Sequence, residues 1–104
     1  MLKDFFLGFI KIHILYHASQ EPICGVEILE ELGQHGYRLS PGTIYPTLHR
    51  LTRDGYLQQH SEVVDGKVRK YYTTTKRGLA ALDEARRKIT ELVEEVLEER
   101  PDSR

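Results

Sequence analysis

The sequence predicts a mainly α fold with a small β-hairpin: a winged helix-turn-helix followed by a long C-terminal dimerisation helix. Three observations predict it. Segments of helical character come first, between residues 5 and 54. Two extended segments then flank Asp65-Gly66, a dipeptide suited to a tight hairpin turn, where both central residues take positive φ. Last comes a run whose apolar positions alternate three and four apart, a coiled-coil-like seam. Three helices followed by a hairpin wing put the third helix where a helix-turn-helix presents itself to a DNA major groove.

The first helix is predicted over Phe5 to Tyr16. Within it IKIHI alternates with period two, as a strand would, but the whole stretch exceeds strand length and is apolar all round. Such a helix must be buried on several sides, and a chain this short has few elements to cover it. A second copy is therefore expected to do part of the covering. Glu21-Pro22 breaks the chain. Val26, Ile28, Leu29 and Leu32 then mark a second helix, stopped between Gly33 and Gly36.

The third helix lies in SPGTIYPTLHRLTRDGYL, residues 40 to 57. Ser40 suits the N-cap and Pro41 the first helical position. Ile44, Leu48 and Leu51 form the inner stripe, and Asp54-Gly55 ends the helix. Pro46 is the anomaly, because an interior proline costs a helix roughly 3 kcal/mol. It removes the bond to the Gly42 carbonyl, and glycine there gives the backbone room to adjust. A local loosening would re-aim Tyr45 and the residues after it. The same glycine would let a phosphate approach an amide-rich helix start, where the helix dipole favours an anion.

The hairpin strands are predicted at about 56 to 63 and 68 to 74. Thr75 caps a last helix over 76 to 99, with the seam Leu82, Ala85, Ile89, Leu92 and Val96, widened by Leu79, Val93 and Leu97. The organisation expected is thus 1–75 winged helix-turn-helix, 76–99 dimerisation helix and 100–104 disordered tail.

The 104 residues make one small domain, and 39% hydrophobic with 30% charged residues marks it as globular. Net charge is −1, yet residues 40 to 77 carry an excess of +4. A basic face on an acidic body suits a polyanion partner. A single cysteine, Cys24, rules out an intrachain disulfide and points to a reducing cytoplasm. FFLGFIKIHILYH is too short for a membrane span, is interrupted by Lys11 and His13, and lacks the features of a signal peptide, so no membrane association is expected.

Off the core stripe of the third helix lie Ser40, Thr43, Tyr45, His49, Arg50 and Arg53, residue types that bind phosphate and, for a few, base edges. Tyr45 could instead stack against the wing. Just past the turn, Lys67, Arg69 and Lys70 are suited to neutralising phosphate. Alternation puts Arg69 and Tyr71 on one face and Lys70 and Tyr72 on the other, with Tyr72 assigned to the core. No nucleophile motif, phosphate loop or acid-base pair argues for an enzyme. His13 and His17 have a usable metal-ligand spacing, and Cys24, His35, His49 and His60 are other candidate ligands. Nothing in the sequence brings them together, and neither metal nor cofactor is assigned.

GVEILEEL, SPGTIYPTLHRLTRDGYL and DGKVRKYYTTTKRG together resemble the PadR family of transcriptional regulators, in its short-tailed subfamily with a single C-terminal helix. The resemblance spans about residues 5 to 99. Its departures, Val26 for a usual tyrosine and Cys24 for histidine or tyrosine, touch only the edge of the second helix. It implies a homodimer joined through the first helix (Phe6, Phe9, Ile10) and the C-terminal helix (Leu82, Ala85, Ile89, Leu92, Val93, Val96). It also implies double-stranded DNA as partner, contacted by the third-helix and wing residues above together with Gly42 and Pro46. Repression, often answering to a small-molecule effector, is the usual role. Two rival readings are a winged helix used as a protein-interaction module, and a metal or small-molecule sensor whose DNA binding is secondary. Duplex binding with steep salt dependence separates the first rival.

Overall fold

Ile10, Ile14 and Ala18 recur every fourth residue, which puts them on one stripe of a helix, and all three are buried. In the computed structural model, which describes residues 1–98, that helix is α1, Leu2–Gln20. It is longer at both ends than the apolar run alone predicts. Ile23–Cys24 form a short strand, β1, and α2 follows at Gly25–Gln34, burying Ile28 and Leu32. Its first turn is held by the Glu27 carboxylate, which accepts a 3.0 Å bond from the Cys24 amide. That bond lowers the Glu27 pKa.

The third helix, α3, spans Pro41–Arg53 and sinks Ile44 and Leu48 completely, with Leu51 beside them. Thr47 is buried as well, its hydroxyl donating to the Thr43 carbonyl at 2.8 Å, so the inner stripe is wider than its aliphatic members. A turn at Asp54-Gly55, with Gly55 at φ 85°, leads into β2, Leu57–Val64, and β3, Lys67–Thr74. Asp65 and Gly66 link these strands at φ 51° and 77°, the two positive values a two-residue hairpin of this twist needs.

The hairpin is not alone. β1 pairs antiparallel with β3, Ile23 opposite Tyr72 and Cys24 opposite Tyr71, giving a three-stranded sheet in the order β1-β3-β2. The Thr74 hydroxyl donates to the Leu15 carbonyl at 2.7 Å and ties the sheet to α1. Tyr72, the tyrosine assigned to the core of the two that alternation separates, is buried.

Thr75 caps the last helix, α4, Lys76–Val96, accepting from the Gly78 amide at 3.1 Å and donating to the Gly55 carbonyl at 2.6 Å. The helix ends before the expected residue 99, which lies outside the described residues, as does the tail expected to be disordered. Only Gly78 and Leu82 of α4 are buried.

One expectation about the seam is corrected here. Ile10 and Leu82 are 2% and 3% exposed inside the chain's own core, so neither belongs to a face offered to a second copy. Phe6, Ile89, Leu92 and Val96 are exposed, and Phe9, Ala85 and Val93 are half-buried.

Candidate nucleic-acid interface

Burial of Ile44, Leu48 and Leu51 fixes the rotation of α3, and that rotation turns Tyr45, Pro46, His49, Arg50 and Arg53 outward. Facing them is the side of the sheet that carries Leu57 and Tyr72 into the core. Alternation puts Gln59 and Lys70 on the same side. Between α3 and the sheet lies an open depression, walled on one side by those five α3 residues and on the other by Gln59, Lys70 and Tyr72. A second depression shares Tyr45, Lys70 and Tyr72 and adds Cys24, Gly25, Val26, Val68 and Arg69. The two form one concave face between helix and wing.

Tyr45 is the hinge of this face. A Cβ on Gly25 would meet its ring at 2.6 Å and its hydroxyl oxygen at 2.8 Å, so the ring rests directly on the first turn of α2. The contact leaves Tyr45 44% exposed, with part of its surface free for a partner. Stacking on α2, rather than on the wing alone, needs the side-chain-free Gly25, a link between residues twenty apart that helical spacing does not reveal.

The start of α3 is less rich in free amides than expected. Ser40 occupies the N-cap, but its hydroxyl makes no cap bond; its carbonyl instead accepts from Thr43 at 3.0 Å and Ile44 at 3.2 Å. Pro41 has no amide hydrogen. The Gly42 amide and the exposed Ser40 hydroxyl are among the groups left without a partner there among the described residues. Nor is there a break at Pro46. The helix runs through it as unbroken α-helix, so the expected loosening is absent; the ring lies on the outer face, opposite the core stripe.

Charge is distributed unevenly over the face. Arg50, Lys67, Arg69 and Lys70 have no carboxylate within 4.0 Å among the described residues. Arg53 is paired with Asp54 through a 3.1 Å contact that is open to water and therefore weak. Glu62 stands opposite Arg69 in the strand ladder. Arg77 lies 4.7 Å from the centre of the Tyr56 ring and belongs to the junction of wing and α4. The structure thus brings Tyr45, Pro46, His49, Arg50, Arg53, Arg69 and Lys70 together. Ser40, Gly42 and Thr43 sit at the head of α3 and Lys67 beside the wing turn, outside both depressions. Gln59, Cys24, Gly25, Val26 and Val68 are members that sequence reasoning did not place on this face; Gln59 was reachable, two residues after the core residue Leu57.

The profile described as the Transcriptional regulator PadR-like family matches residues 14–84, which include all of this face. This chain belongs to that family. A transcriptional regulator of Mycobacterium tuberculosis, Rv3488, is 48% identical over 96 residues, covering 92% of this chain and 90% of its own. Among solved structures, a PadR family transcriptional regulator from Eggerthella lenta superposes with a TM-score of 0.81 at 30% identity, covering 94% of this chain and 87% of its own. A PadR-like transcriptional regulator from Bacillus cereus does so with a TM-score of 0.73 at 32% identity, over 96% and 98% of the two chains. The PadR-like chain is thus a transcriptional regulator with a winged helix fold. No helix among its described residues is long and apolar enough to cross a membrane.

His13, His17 and His35 converge between α1 and α2, although nothing in the sequence places them together. His49 lines the α3 groove, His60 stacks on Tyr71 with centroids 5.8 Å apart, and Cys24 is buried at the N-cap of α2.

Proposed function

We propose that the protein is a sequence-specific regulator that binds double-stranded DNA as a homodimer and represses transcription in the cytoplasm. The observation that carries this reading is the concave face on which α3 and the wing present unpaired cations around Tyr45, on a chain whose net charge is −1. The outer side of α3 would enter the major groove, with His49, Arg50 and Arg53 as the donors nearest base edges and phosphates. Lys67, Arg69 and Lys70 would neutralise adjacent backbone phosphates, and the Ser40 hydroxyl, Gly42 amide, Thr43 and Tyr45 would fix the register of α3.

The second copy is expected against the exposed ends of α1 and α4. Phe6, Ile89 and Val96 are 46%, 38% and 60% exposed, a cost that a soluble monomer rarely tolerates over a contiguous patch. An effector would act from outside the DNA face, where a concavity between α1, α2 and α4 lies.

Selection of bound duplexes from a random pool tests the reading. The expected result is a roughly palindromic motif with half-sites about one helical turn apart. No enrichment over input would overturn it and favour the protein-interaction module.

A further inference from the structure

Two helices each offer a pair of metal-binding side chains one turn apart: His13 and His17 on α1, Glu31 and His35 at the end of α2. Positions four apart share a helix face. The packing of α1 on α2 turns these two faces toward each other. Ligand nitrogens of His13, His17 and His35 all lie within 4.8 Å of one another. The rings of His13 and His35 stack with centroids 4.7 Å apart. A Glu31 oxygen stands 4.0 Å from His17 Nε2.

The arrangement lacks a partner that would explain it. His17 Nε2 is buried and has no hydrogen-bond partner among the described residues, an unfavourable state unless something satisfies it. Ile12, Tyr16 and Leu82 wall the site, and the one cation in its lining, Arg86, is held by Asp83 at 3.0 Å.

We propose that His13, His17 and His35, with Glu31 as fourth ligand, form a site for a borderline divalent cation of the zinc class, joining α1 to α2. Three imidazoles and a carboxylate without a thiolate suit Zn²⁺ and its neighbours Co²⁺ and Ni²⁺ rather than Mg²⁺ or Ca²⁺, which prefer all-oxygen shells. Tetrahedral bonds of about 2.0–2.1 Å bring ligand atoms to roughly 3.4 Å from one another. The three histidine nitrogens therefore close by at most about 1.4 Å, within reach of a rotamer change in exposed His35, and half-exposed Glu31, 4.0 Å from His17 Nε2, would swing in as the fourth ligand. The inference rests on these four side chains alone and stands whether or not the wing binds DNA.

The test is titration of Zn²⁺ into the chelator-treated full chain, without an oligohistidine tag, against a chromophoric competitor. One ion per chain is expected, with a rise in thermal midpoint. Co²⁺ should give the visible bands of a tetrahedral nitrogen-oxygen site, without a thiolate charge-transfer band. His35→Ala, at an exposed helix end, should keep the fold and weaken Zn²⁺ by at least ~30-fold, and Glu31→Gln by ~10-fold. His60→Ala and Cys24→Ser should bind as wild type. Absence of stoichiometric Zn²⁺, undiminished binding by His35→Ala, or loss of binding in His60→Ala or Cys24→Ser would each overturn the site.

Discussion

Gly78 sits where a methyl group has no room. A Cβ there would stand 2.2 Å from the Tyr56 carbonyl oxygen and 2.6 Å from Thr74 Cγ2. Since the first obstacle is backbone, it cannot swing aside, and Gly78→Ala is expected to destabilise the fold by about 2 kcal/mol or more in urea unfolding. The glycine that closes DGKVRKYYTTTKRG thus has a packing reason. Glu27 gives a pH-dependent counterpart. Its carboxyl keeps a lower pKa folded than the 4.5 of a free glutamate, because the ionised form accepts the Cys24 amide. Its contribution is therefore complete above 4.5 and fades as pH falls through the lower folded value. Glu27→Ala should lose ~1 kcal/mol near neutrality, and chemical denaturation at falling pH should find the gap to wild type closing. Pro46 tests function against stability. Alanine restores the helical bond to the Gly42 carbonyl, so Pro46→Ala should unfold at a higher temperature, by up to ~3 kcal/mol of added stability. It should also lose affinity for selected duplex, because the ring forms part of the groove. Intact affinity, or lower stability, would make Pro46 a packing residue. At this scale Tyr72 and Thr75 were legible from alternation and cap chemistry. Thr47, whose polar name hides a satisfied hydroxyl, was not, and the Tyr45–Gly25 contact depends on tertiary packing.

Among elements, those with a strong local cause were the readable ones. The wing was fixed by Asp65-Gly66, and α3 and α4 by their stripes and stops. β1 was missed because two residues are too few to alternate; it exists only through pairing with β3. The converging histidines escaped for the same reason, since α1 and α2 meet only in the fold. In the wing, Lys70 shares the groove side with Tyr72, while Lys67 and Arg69 stand nearer the turn and the outer face. All three should act through phosphate rather than sequence. Lys67→Ala, Arg69→Ala or Lys70→Ala should weaken selected and scrambled duplex alike, each lowering the salt slope by about one. Unchanged slopes in all three would move the wing away from the DNA.

The described residues form a longer body than a compact domain of this size. Its radius of gyration is 15.8 Å, against about 13 Å expected, because most of α4 leaves the core behind after Leu82. That projection, with the exposed phenylalanines of α1, is the case for a second copy. Ile89→Asp or Leu92→Asp, neither buried in the chain's own core, should give monomers and abolish high-affinity duplex binding; sedimentation showing wild type as a stable monomer at micromolar concentration would contradict the dimer. As proposed, the protein is a dimer that would read one DNA sequence with α3 and hold phosphate with the wing. The measurement that tests this most directly is the affinity of the full chain for its selected duplex and for a scrambled one across a series of salt concentrations. The expected result is a preference of at least ~10³-fold for the selected duplex, with log affinity falling steeply against log salt at a slope beyond about −4. Equal affinity for the two duplexes, or binding indifferent to salt, would contradict it.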